Sequence, residues 1–274
     1  MQGEHLPDLT DEYALTQEHI EAYRRDGHVL LRGVCSPTEI ATYQPIIAAA
    51  AMRLNTQHLK LEQRDTYGKA FLQVGSISEK DELVRRFVFA RRFAQIAARL
   101  MGARGVRLFH DQALFKEGSG GLTPWHQDQY YWPLDTDQTI TMWMPLIDVT
   151  PAMGPMTFVS GSHREGYLAP IAISDASEHY FDRLVRERGW QPTTPPALAA
   201  GDATFHAGWT LHRAAPNTTG QVREVMTVIY FADGARISPV TDGNAGDLKS
   251  LFPGLQPGDV AVGPLTPLLY REPA

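Results

Sequence analysis

The chain has 274 residues, 43% of them hydrophobic and 20% charged, with a formal net charge of -6. That length suits one large domain, and mild acidity excludes a broad attraction for nucleic acid or an anionic membrane surface. A single cysteine, Cys35, excludes an intramolecular disulfide and a cysteine-rich zinc site.

The stretch from Met1 to Asp11 is polar and acidic and lacks the apolar core of a signal peptide. No apolar run approaches the roughly 20 residues of a membrane helix. A cytoplasmic, reduced location is the expectation. Thr16 is placed to cap a helix that runs to about Asp26 and ends at Gly27. His28 to Val34 reads as a strand. Cys35 precedes Ser36-Pro37-Thr38-Glu39, a capping box with proline at the first helical position, and reads as structural. The helix it opens runs to about Arg53. Phe71 to Ile77 suggests a short strand. Residues 81–101 suggest one or two helices, with Leu83, Val84, Phe87, Ile96 and Leu100 on apolar faces.

The pattern changes after Gly102. Short runs rich in Val, Ile, Thr and aromatics alternate with Gly, Pro, Asn and Asp turns. Strands are expected at 105–116, 122–128, 138–147, 156–159, 194–199, 203–206 and 222–231, with one helix at about Glu178 to Arg188. Short strands without intervening helices predict antiparallel sheets in a sandwich or jelly roll. The organisation follows: a helix-rich part over 1–103, a β core over 104–232 and an irregular wrap over 233–274. The insertion at 163–190 has the length of a lid.

The chemistry centres on Trp125-His126-Gln127-Asp128-Gln129-Tyr130-Tyr131-Trp132. Residues two apart on a strand face the same side, so His126 and Asp128 can chelate one metal ion. A second histidine from another strand would complete a 2-His-1-carboxylate triad with open positions. The pair alone is weak, since about one His-x-Asp/Glu arises by chance in a chain of this composition. His163-Arg164-Glu165 is another instance, and its glycine-containing turn favours a structural histidine. The stretch from Gly201 to Asn217 adds His206 and His212, and Arg223 follows on an expected strand. An inward arginine beside a metal offers a two-pronged grip for the far carboxylate of an oxodiacid.

WHQDQYYWPL, WMPL, FVSGSH and LHRAAPN…VREVMTVIY together resemble the phytanoyl-CoA dioxygenase family, and the likeness extends more loosely back to about Thr16. The resemblance implies a double-stranded β-helix core, Fe(II), 2-oxoglutarate as cosubstrate and O2. It implies His126, Asp128 and His212 as metal ligands and Arg223 as the cosubstrate's salt-bridge partner. It further implies cosubstrate contacts at Gln112 and Trp143. Gln73 falls where some members have lysine, a departure that puts its role in doubt. His206 falls just before the motif's histidine, in a supporting or packing position. Tyr130, Tyr131 and Trp132 are candidates for the substrate pocket, with at most two facing inward if they lie on a strand. Lys116 reads as a solvated charge near the site. The implied reaction couples decarboxylation of 2-oxoglutarate to oxidation of a C–H bond in a small molecule. Hydroxylation is the default outcome; cyclisation, epimerisation or desaturation are alternatives. The presence of Asp128 disfavours halogenation, which needs a small residue there. A cupin-like metalloenzyme without 2-oxoglutarate is a more remote reading, and Arg223 discriminates against it.

Overall fold

A computed structural model describes residues 6–273; the first five residues of the Met1–Asp11 segment lie outside them. In chain order the elements are α1 (Gln17–Asp26), β1 (His28–Leu31), α2 (Pro37–Leu54), α3 (Thr66–Ala70), β2 (Leu72–Gly75), α4 (Ile77–Lys80), α5 (Glu82–Val88) and α6 (Arg91–Met101). Then come β3 (Gly105–Phe115), β4 (Thr123–His126), β5 (Thr139–Pro145), β6 (Met156–Val159), α7 (Asp175–Glu187), β7 (Pro192–Thr193), β8 (Ala203–Ala207), β9 (His212–Ala214), β10 (Val225–Ala232), α8 (Ala245–Leu251) and β11 (Leu268–Arg271). The helix starts follow the sequence signals. The Thr16 hydroxyl accepts from His19 N at 3.3 Å, and Ser36 and Glu39 close a reciprocal capping box.

Two antiparallel sheets face each other. The larger runs β1-β8-β5-β10-β3-β11, with β2 also on β3; the smaller runs β4-β9-β6-β7. Side-chain alternation gives the larger sheet two different faces. Ile140, Met142 and Met144 of β5 and Met226, Val228 and Tyr230 of β10 turn outward. They join one core with Ile40, Tyr43, Val84, Phe87, Phe93 and Leu100 of α2, α5 and α6. Thr141, Trp143, Thr227 and Ile229 turn inward and line a cavity of about 360 Å³ that the smaller sheet covers with Thr123, His126, His212 and Ala214. The helical third therefore closes one face of the jelly roll and leaves the other for the site.

Several boundaries depart from expectation. The expected strand 122–128 stops at His126, and Asp128–Tyr131 is a 3-10 turn. The turn forms because Gln129 is drawn inward: its backbone N donates to Gly208 O at 3.0 Å and its side chain bonds Thr139 and the carbonyls of Leu134 and Thr136. Gly208 permits that approach, since a Cβ there would lie 2.4 Å from Thr139 Oγ1 and 2.5 Å from Gln129 Oε1. The expected strand 194–199 survives only as a bridge between Leu198 and Val149, because Pro195 and Pro196 have no N–H for a ladder. Arg223 lies two residues before β10, in an isolated bridge with Lys116. The final segment is more than a wrap: β11 pairs with β3, and Phe252 after α8 packs on Phe109 and Phe231.

The insertion divides in two. Phe181 and Val185 of α7 are buried with Trp125 and Leu211. Glu178 accepts from Trp125 N at 2.8 Å and from Arg213 at 2.6 Å. The helix is thus fixed to the smaller sheet, and only the loop before it lies over the cavity, where Ile173 reaches the lining. No described helix is long and apolar enough to cross a membrane.

Candidate active site

His126 closes β4 and His212 opens β9, and the two are direct register partners. Gln127 is extended, with φ -118° and ψ 125°, so the alternation carries past the strand's end and Asp128 faces the same side as His126. Asp128 Oδ1 lies 3.5 Å from His126 Nε2 and 3.6 Å from His212 Nε2. The ligand atoms of all three lie within 4.8 Å of one another. Cis donors on one first-row ion at about 2.1 Å are separated by roughly 3 Å, so the set fits a facial metal site with small adjustment.

Hydrogen bonding fixes which ring nitrogens face inward. His126 Nδ1 lies 2.8 Å from Pro124 O and His212 Nδ1 2.9 Å from Thr210 O. A carbonyl can only accept, so both rings carry the proton on Nδ1 and present a bare Nε2. His206 is wired the other way. Its Nε2 lies 3.2 Å from Asp128 Oδ2, while its Nδ1 has no partner. It holds the carboxylate and adds no third imidazole. Thr141 Oγ1 donates to the same Oδ2 at 2.9 Å. Burial opposes ionisation of Asp128, but His212, His126 and His206 around it hold its carboxyl well below the usual range. Burial and the neighbouring His126 push His212 well below the usual histidine value, which keeps it neutral.

Arg223 opens into the same cavity and is 1% exposed. Its Nη1 donates to Gly154 O, its Nε has no partner, and its guanidinium sits 5.2 Å from the Trp143 ring centroid. The neighbouring Glu224 is taken by Gln44 Nε2 at 2.6 Å, so no side-chain carboxylate pairs with Arg223 among the described residues. Trp143 Nε1, also buried, has no acceptor. A buried cation and a buried donor, both orphaned in one cavity with a metal-type cluster, fit a carboxylate-bearing chelator.

Gln112 and Gln73 reach the cavity wall as a chain: Tyr67 Oη donates to Gln73 Oε1 at 2.8 Å, and Gln73 Nε2 to Gln112 Oε1 at 2.6 Å. Gln112 pairs with Thr227 and Lys116 with Arg223, which puts four residues, roughly 13 Å of strand, between Gln112 and the arginine's bridge. Gln73 is exposed, so the pair forms a polar rim. The aromatic run lies on the 3-10 turn and the residue just after it, and not on a strand. Tyr131 and Trp132 line the cavity, whereas Tyr130 faces away and stacks on Tyr167. His163 is structural: it bonds Arg24 O at 3.2 Å and packs on Gly27, where a Cβ would lie 2.3 Å from its Nδ1. Cys35 is buried, and burial pushes its thiol up to about 12. Lys116 is fully buried, contrary to its reading as a solvated charge.

Sequence reasoning missed Thr141, His110, Tyr67 and Asp247, all on the cavity wall. Thr141 and His110 precede Trp143 and Gln112 by two residues, so strand alternation from those positions would have found them. Asp247 has no local signal: burial pushes its carboxyl up to about 6, in a segment expected to be irregular.

A protein named probable alpha-ketoglutarate-dependent hypophosphite dioxygenase, from Stutzerimonas stutzeri, is 28% identical over 177 residues. The match covers 63% of this chain and 59% of that one, so the chain spans less than two thirds of that relative's length. Among solved structures, the alpha-ketoglutarate-dependent carbocyclase SnoK of nogalamycin biosynthesis superposes with a TM-score of 0.74 at 28% identity, covering 93% of this chain and 96% of that one. The epimerase SnoN, in complex with Fe3+, alpha-ketoglutarate and nogalamycin RO, gives 0.74 at 29% identity, covering 93% and 98%. The family model for phytanoyl-CoA dioxygenase matches residues 23–225, which contain every residue of the metal-type cluster and Arg223. The chain therefore belongs to the phytanoyl-CoA dioxygenase family of iron- and 2-oxoglutarate-dependent oxygenases.

Proposed function

We propose that His126, Asp128 and His212 hold Fe(II), that Arg223 and Trp143 receive 2-oxoglutarate, and that the enzyme oxidises a C–H bond of a small molecule. The observation that carries this reading is the unpartnered Arg223 in the same cavity as the three ligand-type side chains. A cupin-like metalloenzyme that does not use 2-oxoglutarate has no need of such a buried cation. When bound, the iron supplies oxygen activation coupled to loss of CO2 from 2-oxoglutarate. The chain's own residues bind and orient. His206 and Thr141 fix one oxygen of Asp128 so that the other faces the histidines. Pro124 O and Thr210 O fix the two ring tautomers. Trp143, Met156 and Ala214 wall the inner end with apolar surface that limits water. Tyr67, Tyr131, Trp132, Ile173 and Asp247 are left for the substrate.

Hydroxylation is the default outcome. Similarity to a carbocyclase and an epimerase gives specific support to ring closure or epimerisation as a second reading. A cytoplasmic location fits a chain whose single cysteine can form no intramolecular disulfide. The test is spectroscopic: under anaerobic conditions Fe(II) and 2-oxoglutarate should together produce the visible absorption of a chelated oxoacid complex. Asp128→Ala should lose that absorption while keeping the far-UV spectrum of folded protein. Wild-type protein without the absorption would sink the assignment.

A further inference from the structure

Lys116 and Arg223 form the one bridge between the end of β3 and the approach to β10. Lys116 N donates to Arg223 O at 2.9 Å, and Arg223 N to Lys116 O at 2.8 Å. Directly opposed antiparallel residues send their side chains to the same face. Both are buried, Lys116 completely. Lys116 Nζ donates to Gly121 O and to Thr123 Oγ1, the latter at 3.3 Å. Thr123 itself lines the cavity that Arg223 also lines. Among the described residues no side-chain carboxylate pairs with either cation. Glu117, next in the chain, is engaged by Arg64; Glu224 is engaged by Gln44; and Lys69 of α3, a further cation, packs on Gly121.

Two buried like charges without a counterion do not both persist when one can lose its proton. Burial and the charge of Arg223 push the Lys116 ammonium down to about 6. Burial also pulls Arg223 down, to about 9, which still leaves it charged at neutral pH. A delocalised guanidinium holds its proton far better than an ammonium does, so lysine is the partner that yields. A carboxylate arriving at Arg223 reverses the balance. It adds the missing negative charge to the cavity that Thr123 lines, and the Thr123 hydroxyl, which already accepts from Lys116, has a proton to donate onward.

We propose that Lys116 is a masked second cation of the cosubstrate site, neutral in the cosubstrate-free enzyme and protonated from solvent when the distal carboxylate of 2-oxoglutarate binds. The inference rests on Arg223 as the cosubstrate anchor. Loss of CO2 leaves succinate, which keeps that distal carboxylate, so the proton stays on Lys116 until succinate departs. Cosubstrate affinity is then pH-dependent. It is level below the pKa of the free amine and falls about tenfold per pH unit above it, up to the raised value in the complex.

The experiment is calorimetric titration of 2-oxoglutarate into enzyme saturated with Mn(II), at pH 7.5, in buffers of different ionisation enthalpy. Metal saturation removes the exchangeable protons of the ligand histidines. Wild type should take up about one proton per cosubstrate bound, and its Kd should weaken about tenfold between pH 7 and pH 8. Lys116→Met should bind without proton uptake and with a level pH profile. If that variant does not fold, the wild-type uptake and pH profile decide alone. Saturable binding without proton uptake, or uptake that persists in Lys116→Met, overturns the role of Lys116 and leaves Arg223 as anchor. Binding unaffected in Arg223→Leu, or no binding to wild type, overturns the anchor reading and this inference with it.

Discussion

His206 grips the oxygen of Asp128 that points away from the other two histidines: its Nε2 lies 3.2 Å from Oδ2, while Oδ1 faces His126 and His212 at 3.5 and 3.6 Å. A carboxylate held on one oxygen presents the other in a fixed direction. Outer partners of this kind set ligand orientation, and their removal typically costs about 10–100-fold in metal affinity. His206→Ala should therefore weaken Mn(II) or Fe(II) binding by about that factor, and Thr141→Val should do so by less. Metal titration followed by quenching of tryptophan fluorescence reads both. Unchanged affinity in His206→Ala would show that the contact with Asp128 does not orient it.

Arg223→Leu should raise the apparent KM for 2-oxoglutarate more than about tenfold and leave that for the oxidised substrate nearly unchanged. A charge-assisted pair lost from a buried site costs roughly 2–5 kcal/mol. Succinate formation against 2-oxoglutarate concentration measures it. Equal saturation curves for the two proteins would remove Arg223 from the cosubstrate site.

The loop over the cavity is held near its start by Gln127, which bonds Gly166 O and Leu168 N, and near its end by Ile173 N, which donates to Tyr131 Oη at 2.7 Å. Tyr131→Phe deletes that acceptor, a loss of about 1 kcal/mol. Amide exchange at Ile173 should accelerate about five- to tenfold in the variant, and the substrate KM should rise. Exchange within α7 should not change, because Glu178, Phe181 and Val185 anchor that helix independently. Acceleration spread evenly over 166–187 would mean that loop and helix open as one unit.

Acid should weaken the fold through His28. Burial pushes its ring down to about 4, and it stacks on Phe158 with centroids 4.5 Å apart and bonds Ser160 at 2.8 Å. Its folded pKa lies below the unfolded value near 6.5, so its contribution is complete above about pH 6.5 and is lost as pH falls toward about 4. The slope is at most about 1.4 kcal/mol per pH unit. His28→Gln should be less stable than wild type at pH 7.5 and should lose less of its Tm between pH 6.5 and pH 4.5. Parallel Tm curves would show that His28 does not titrate with unfolding.

The pairing of His126 with Asp128 was readable in the chain because side-chain alternation is a local property. It holds even though the strand ends at His126, since the extended Gln127 preserves the two-residue period. The capping boxes at Thr16 and Ser36, the antiparallel core and the family motifs were legible for the same reason: each is written within a few consecutive residues. The choice of His212 over His206 as ligand came from the family resemblance and not from spacing. Both flank the turn at Gly208 and Trp209, and what separates them in space is which ring nitrogen meets a backbone carbonyl and which meets Asp128, a matter of contacts across strands. Tyr130 was lost from the pocket and Asp247 gained by it through the docking of Gln129 and the placement of α8, neither of which leaves a periodic trace. Lys116 is the clearest case. A lysine after a strand reads as solvated, because in most contexts an ammonium remains in water. Here the bridge to Arg223 carries its stem into the barrel, and burial beside a second cation decides its protonation, which no local pattern encodes.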